Sequence, residues 1–344
     1  MGVETHLLGG LKFDRSPADT RPVSSPLRLL FFLALAIGTL APAFLAIAER
    51  AEAETRLRPV TGTLHTKIGI ADQKKDMYED DRFLGLGVKY ARRSVSWDVT
   101  RDPRLTQELD EWLQGARKAE VEPLITFARS HREGRRRIQP TAEQYDREVR
   151  AFKRKWPWVR AFSTWNEVNL PGEGPANSPK LVGSYYRTLK RTFPTSKILA
   201  ADLLDLPSMV TWVKRFQRVN KIQPRYWGLH NYVTANRFQV ERTKRLLQAT
   251  TGEVWITEVG GLVARRNRTL IKLPQGKAHA AQVTRFMFDK LARLDKRMTR
   301  IYAYHWDSSS TRDTWDSAFI GPDDKERPAF AVFRRVLGQA RPAR

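Results

Sequence analysis

Two carboxylates in this chain stand where carboxylates are costly. Glu167 lies in the run Ser163-Thr164-Trp165-Asn166-Glu167-Val168-Asn169-Leu170, and Glu258 lies in Trp255-Ile256-Thr257-Glu258-Val259-Gly260-Gly261. Each follows a short apolar stretch, a place where an acid must be paired, hydrogen-bonded or used. If the two converge on one pocket, one can protonate a departing oxygen while the other attacks carbon or activates water, the division of labour that cleavage of a glycosidic bond requires. Other residues fit the same chemistry. In Gly228-Leu229-His230-Asn231-Tyr232, strand alternation places His230 and Tyr232 on one face. Arg93 can serve Glu258 as a counter-ion, and Trp306 can offer a flat apolar platform to the C–H face of a sugar ring. Structural readings stand beside these: Glu167 and Glu258 as rim acids paired with arginines, His230 as a core histidine, Arg93 as a structural counter-ion, and Trp306 and Trp97 as packing residues.

The elements that must position these groups follow a regular rhythm. Apolar runs rich in Val, Ile and aromatics predict strands at 65–71, 90–97, 121–128, 159–165, 197–202, 226–232, 254–258 and 300–306. Amphipathic, basic stretches predict helices at 142–155, 179–192, 208–219, 242–249, 277–294 and about 327–337, with Thr141, Ser178 and Ser208 in N-cap positions. Eight strand and helix units in roughly 280 residues have the order and size of a (β/α)₈ barrel, here a single domain over 65–340. In that fold Glu167 ends strand four and Glu258 ends strand seven, both on the catalytic face. An open doubly wound sheet is the alternative, but the segment after Ile70 reads Ala-Asp-Gln-Lys-Lys-Asp, without the glycine-rich phosphate loop such a sheet needs.

With both motifs in order on these strands, the sequence resembles the clan of retaining glycosidases on (β/α)₈ barrels. Trp165-Asn166-Glu167 matches the strand-four signature and Thr257-Glu258 the strand-seven signature. The Trp-Asn-Glu-x-Asn-Leu run, followed by a helix carrying Tyr185 and Tyr186, is most similar to the β-xylosidase and α-iduronidase family, with Val168 where that family usually has proline. The resemblance covers about 65–337. It implies that Glu167 is the acid/base, Glu258 the nucleophile and Tyr232 a hydrogen-bond donor to Glu258. It further implies that His230 contacts the sugar or the carboxylates and Asn166 donates to the 2-hydroxyl. No cofactor follows from it.

Composition limits the remaining classes. The chain has no cysteine, which excludes a thiol nucleophile, a thiolate zinc site and disulfides, and its six histidines show no i, i+3 or i, i+4 pair for a helical metal site. Lys and Arg number 61 against 37 Asp and Glu. Most of that excess follows residue 48, and it favours polyanionic partners. Arg129, Arg132, Arg135, Arg136 and Arg137 after strand three, and Arg265, Arg266, Arg268 and Lys272 after strand seven, fall on the catalytic rim and fit an anionic glycan substrate; solvation of the surface is the equal alternative. Residues 29–48 carry no charge and are long enough to span a bilayer, behind a leader at 1–28 that the positive-inside tendency keeps cytoplasmic and ahead of a linker at 49–64. They read as a signal peptide or a retained anchor that exports the barrel to the envelope or beyond. Ala46-Ile47-Ala48 and Ala51-Glu52-Ala53 both fit a cleavage site. Export and the lack of a nucleic-acid motif argue against a nucleic-acid partner. A catalytically silent barrel that binds polyanionic glycans is the rival reading.

Overall fold

A computed structural model describes residues 64–173, 175, 177–266 and 271–340, with the side chains of 339 and 340 left aside. The expected leader, apolar segment and linker before residue 64, and Arg268, lie outside the described residues. Among the described residues no helix is long and apolar enough to cross a membrane.

Eight parallel strands close into a barrel in chain order: β1 (Lys67–Ala71), β2 (Tyr90–Ser96), β3 (Glu122–Ala128), β4 (Ala161–Ser163), β5 (Lys197–Leu204), β6 (Tyr226–His230), β7 (Glu253–Val259) and β8 (Met298–Tyr304). The ring is completed by β1 against β8, from Lys67 opposite Arg300 to Ala71 opposite Tyr304. Flanking helices are α1 (Asp81–Leu86), α2 (Pro103–Lys118), α3 (Ala142–Lys155), α4 (Pro179–Thr192), α5 (Met209–Asn220), α6 (Tyr232–Asn236), α7 (Glu241–Ala249), α8 (Lys277–Phe286) and α9 (Pro328–Ala340). The (β/α)₈ expectation therefore holds, and the open-sheet alternative does not.

Local chemistry explains several boundaries. Thr141 and Gln144 form a reciprocal capping box that starts α3. Ser178 and Ser208 precede α4 and α5 as expected, but neither side chain caps its helix. The long helix expected at 277–294 ends at Phe286 and continues as a single π turn, Met287–Leu291. A sixteen-residue helix, α2, opens with Asp102 accepting from the Leu105 amide and Pro103 at its first position. The run at 226–232 ends as a strand at His230, and Tyr232 begins α6 instead.

The barrel interior is layered. Toward the amino ends of the strands, the Arg300 guanidinium lies over the rings of Trp255 at 4.1 Å and Tyr90 at 4.4 Å and pairs with Glu122 at 2.8 Å. Above it Ala71, Leu124, Ala161, Leu199, Trp255 and Tyr302 form an apolar plug. Toward the carboxyl ends the interior turns polar, and Asp202 is its centre. Leu199 and Asp202 are three positions apart and would face opposite ways on a regular strand, but the β5–β6 register shifts between them, so both point inward.

Gly228 is the glycine this arrangement demands. A Cβ there would lie 2.0 Å from Asp202 Oδ1, which is itself held on several sides. G228A is expected to destabilise the barrel by about 2 kcal/mol and to lower activity with it. Urea unfolding checks this; an unchanged midpoint would show that Asp202 has room to move.

Candidate active site

Arg92 and Asp202 form an ion pair at 2.6 Å, with both side chains fully buried. Asp202 also accepts from Thr126, Ser163 and Thr257 at 3.0, 2.9 and 3.0 Å. Burial alone would raise the proton affinity of this carboxyl, but Arg92 and His230 outweigh burial and hold it well below the usual carboxylate range. Arg92 is likewise penalised by burial, yet Glu258 and Asp202 secure its charge. Its guanidinium reaches from this pair to three further groups, Glu258, Asn166 and, at 3.1 Å, His230 Nε2. One nitrogen donates to Glu258 Oε1, and the other donates to Asn166 Oδ1 at 2.8 Å. With its oxygen occupied, the Asn166 amide keeps its NH₂ for a ligand.

Glu258 is held from the other side by the Tyr232 hydroxyl, which donates to Oε2 at 3.1 Å. Burial, and then the nearby Glu258, keep that phenol protonated. Tyr232 reaches Glu258 from the first turn of α6, not from a strand face as the alternation suggested. Register shifts in the β6–β7 and β7–β8 ladders flank Glu258, and adjacent Thr257 and Glu258 can then both serve the barrel axis.

Glu167 lies just beyond β4 in a left-handed conformation, φ 50°, which non-glycine residues adopt at a cost. His230 Nδ1 lies 3.1 Å from its Oε1 and 3.7 Å from Glu258 Oε2. One oxygen of Glu167 and one of Glu258 lie within 4.8 Å of each other and of a His230 ring nitrogen. Such a trio could in principle ligate a cation. However, His230 is pushed up to about 9: burial opposes its charge, but Glu258, Asp202 and Glu167 together override it. A ligating imidazole would have to give up that proton, and Glu258 would have to release Arg92, so this donor set fits proton chemistry better than a metal.

Glu167, Glu258, Asn166 and Tyr304 line one wall of a cleft of about 440 Å³, and Arg93, Ser94 and His131 are among its other lining residues. Two expected assignments change. The counter-ion of Glu258 is Arg92, because alternate residues of β2 face opposite ways and it is Arg92 that points to the axis; Arg93 instead donates to the Glu108 carbonyl of α2 at 2.7 Å. Trp306 is not a sugar platform. Its ring is 1% exposed, packed edge-on against Phe83 and Phe330, with Nε1 donating to Asp80 at 3.0 Å. β8 ends at Tyr304, so the alternation that would have brought Trp306 inward is broken, and Tyr304 takes the place in the cleft. Trp97 is buried as well.

The sequence reading missed Arg92, Asp202 and Tyr304. Arg92 carried a usable signal, since a strand with Arg at two adjacent positions must turn one of them inward. Asp202 was readable only as the end of a strand. Part of the basic rim is neutralised: Arg132 and Arg135 lie 3.3 and 3.5 Å from Asp98, and Arg129 lies 2.8 Å from Glu173. Arg136 and Arg137 are exposed.

His230 links the site to folding. Its folded-state value near 9 lies above its ordinary 6.5, so its protonated form contributes stability that is complete below about pH 6.5 and is lost as pH rises through about 9. The contribution is up to about 3 kcal/mol. Urea unfolding of the wild type and of H230Q across this range should show the two curves converging as pH rises; parallel curves would mean that the imidazole is neutral when folded.

The family model described as glycosyl hydrolase catalytic core matches residues 140–322. No curated protein matches the chain in sequence. Among solved structures, a GH5_18 variant from Bifidobacterium longum subsp. longum in complex with Manb1-4GlcNAc is 11% identical, with TM-score 0.60 over 80% of this chain and 78% of that one. An endo-1,4-beta-xylanase from Caldicellulosiruptor owensensis is 14% identical, with TM-score 0.56 over 81% of this chain and 99% of that one. A family 39 glycoside hydrolase from the gut symbiont Bacteroides cellulosilyticus is 12% identical, with TM-score 0.53 over 82% of this chain, which spans 64% of that enzyme's length.

Proposed function

The chain belongs to the glycosyl hydrolase catalytic core family and is a glycoside hydrolase, and from that premise we propose a configuration-retaining, two-step hydrolysis carried by Glu258 and Glu167. Glu258 attacks the anomeric carbon and forms a glycosyl-enzyme as the leaving oxygen departs. Glu167 protonates that oxygen, then takes a proton from the water that releases the sugar.

The observation that carries this reading is the short separation of the two carboxylates, whose nearest oxygens lie within 4.8 Å. Retaining enzymes hold their carboxyls roughly 5 to 5.5 Å apart, whereas inverting ones need roughly 6.5 to 9.5 Å to seat a water between acid and sugar. The hydrogen bonds support the split of roles. Glu258 is fixed by Arg92 and Tyr232, which give a nucleophile both aim and counter-charge. Glu167 has His230 as its hydrogen-bond partner and is the more exposed of the two, 22% against 12%, which suits a group that must exchange protons with leaving group and water. Asn166, its oxygen bound by Arg92, offers its amide N–H to the 2-hydroxyl.

The substrate is an oligosaccharide or polysaccharide, and we read it as anionic because Arg136 and Arg137 remain exposed on the rim of a strongly basic chain. The apolar segment 29–48 supports export to the envelope or the exterior, with the barrel tethered there where the segment is retained. The silent-barrel alternative loses ground to the paired carboxylates and their supporting donors.

In E258Q, turnover of aryl glycosides should fall by roughly 10⁴-fold while oligosaccharide binding persists. Proton NMR of the first-formed product reads the stereochemistry, and an inverted anomer would overturn the two-step scheme. In E167A, glycosides with poor leaving groups should slow far more than activated aryl ones, and azide should restore turnover by attacking the glycosyl-enzyme directly, since an anionic nucleophile needs no general base, to release Glu258 and a glycosyl azide of retained configuration. On uronic oligosaccharides, kcat/KM should fall as salt rises while neutral analogues hold steady; equal salt responses would remove the rim from substrate selection.

A further inference from the structure

Arg93, displaced from its expected role beside Glu258, is left in an unusual position. It lines the same cleft as Glu167 and Glu258, it is half-buried, and among the described residues no acid lies within ion-pair distance of it. Its one protein hydrogen bond in the structure runs to a backbone carbonyl, that of Glu108. The nearby acids are engaged elsewhere: the Glu108 carboxylate pairs with Arg104 at 2.5 Å, and Asp72 accepts from the Lys74 and Trp306 amides at 2.8 Å each. Arg92, by contrast, is fully matched by Asp202 and Glu258.

His131 lines the cleft too, with its amide donating to the Ser96 hydroxyl at 2.8 Å. Its side chain is exposed, and partial desolvation with the positive charges of Arg129, Arg136 and Arg93, opposed by Asp98, lowers its proton affinity. Arg93 and His131 thus share the cleft lining with Glu108, whose carboxylate is held by Arg104, and Arg93 keeps a guanidinium edge free of any ion pair that can grip a planar anion with two parallel hydrogen bonds.

We propose that Arg93, with His131 beside it, forms a subsite for an anionic substituent, a carboxylate or a sulfate ester, on the sugar that occupies the cleft. The subsite makes the anionic preference a matter of direct contact, distinct from the long-range field of Arg136 and Arg137. It rests on the glycosidase reading of the cleft but is tested apart from turnover.

The test is NMR titration of the full chain, as wild type, R93Q, R93K and the surface control R154Q, with glucuronate, glucose 6-sulfate and glucose. The wild type should bind at least one anion roughly tenfold or more tightly than glucose. R93Q should abolish that preference, R93K should recover part of it, and R154Q should keep it. Saturation with the preferred anion should shift the His131 imidazole titration to higher pH in the wild type and not in R93Q. Preference for glucuronate assigns a carboxylate, and preference for glucose 6-sulfate assigns a sulfate ester. Equal binding of the three sugars by the wild type, or a preference that survives in R93Q, overturns the subsite. A protein that hydrolyses no glycoside yet keeps the Arg93-dependent preference refutes the catalytic reading and supports the subsite.

Discussion

Everything at the carboxyl end of this barrel depends on one ion pair out of reach of water. Arg92 and Asp202 carry full charges at zero exposure, a burial that costs several kcal/mol per ion unless each remaining donor and acceptor is satisfied. The barrel meets that demand by convergence. Hydroxyls from β3, β4 and β7 approach Asp202, and the Arg92 guanidinium from β2 spans to β5, to Asn166 beyond β4 and to Glu258 on β7. With His230 of β6 beside both Arg92 and Asp202, six strands share one network, and a displacement of any one leaves a buried charge short of a partner. The same requirement that stabilises the fold fixes Glu258 and Asn166, so the geometry proposed for catalysis is a by-product of satisfying buried ions.

That network also explains why the two glutamates differ. Glu258 belongs to it, and its position is dictated by Arg92 below and Tyr232 beside. Tyr232 is itself placed by Asp205, which accepts from the Val233 and Thr234 amides at the start of α6 at 3.2 and 2.5 Å; its own carboxyl is pushed up to about 6 by burial, which those hydrogen bonds only partly offset. Glu167 joins the network only at its edge, through His230, and stands on a left-handed turn. A rigid carboxylate and a less constrained one facing it suit the nucleophile and proton shuttle proposed for them.

How much of this the sequence reveals follows from the range of each interaction. Strand and helix rhythm is a local property, so the eight strands, the barrel and the family were legible from apolar runs and from Trp165-Asn166-Glu167 with Thr257-Glu258. Strand-end carboxylates were legible too, because an acid after an apolar run is costly wherever the strand goes. What failed was phase. Choosing Arg93 over Arg92 is an error of one residue on β2, and period-2 alternation makes one residue the difference between axis and helix. Asp202 was hidden by a bulge, Trp306 was misplaced because β8 stops two residues earlier, and Tyr232 reached Glu258 by a helical turn that alternation did not foresee. Bulges and strand ends are set by neighbours across the sheet, which a single sequence does not display.

The same error of phase bears on the excess positive charge. Read as a rim, the arginines after β3 form one patch; in the fold Arg129, Arg132 and Arg135 are spent on Glu173 and Asp98 and brace the loops around the cleft. Structural and steering roles therefore divide within one loop, and net charge counts both alike. Selection at short range needs a cation that the protein leaves unmatched and places within reach of the sugar. The exposed arginines are unmatched but are bathed in solvent that screens them within about 8 Å at physiological ionic strength. Arg93 is sheltered by β2 and α2, lines the catalytic cleft, and has its one donated bond on a neutral carbonyl. A half-buried guanidinium without an ion-pair partner is costly to the fold, Glu108 and Asp72 offset that cost only in part, and an anionic ligand is the partner that would offset the rest.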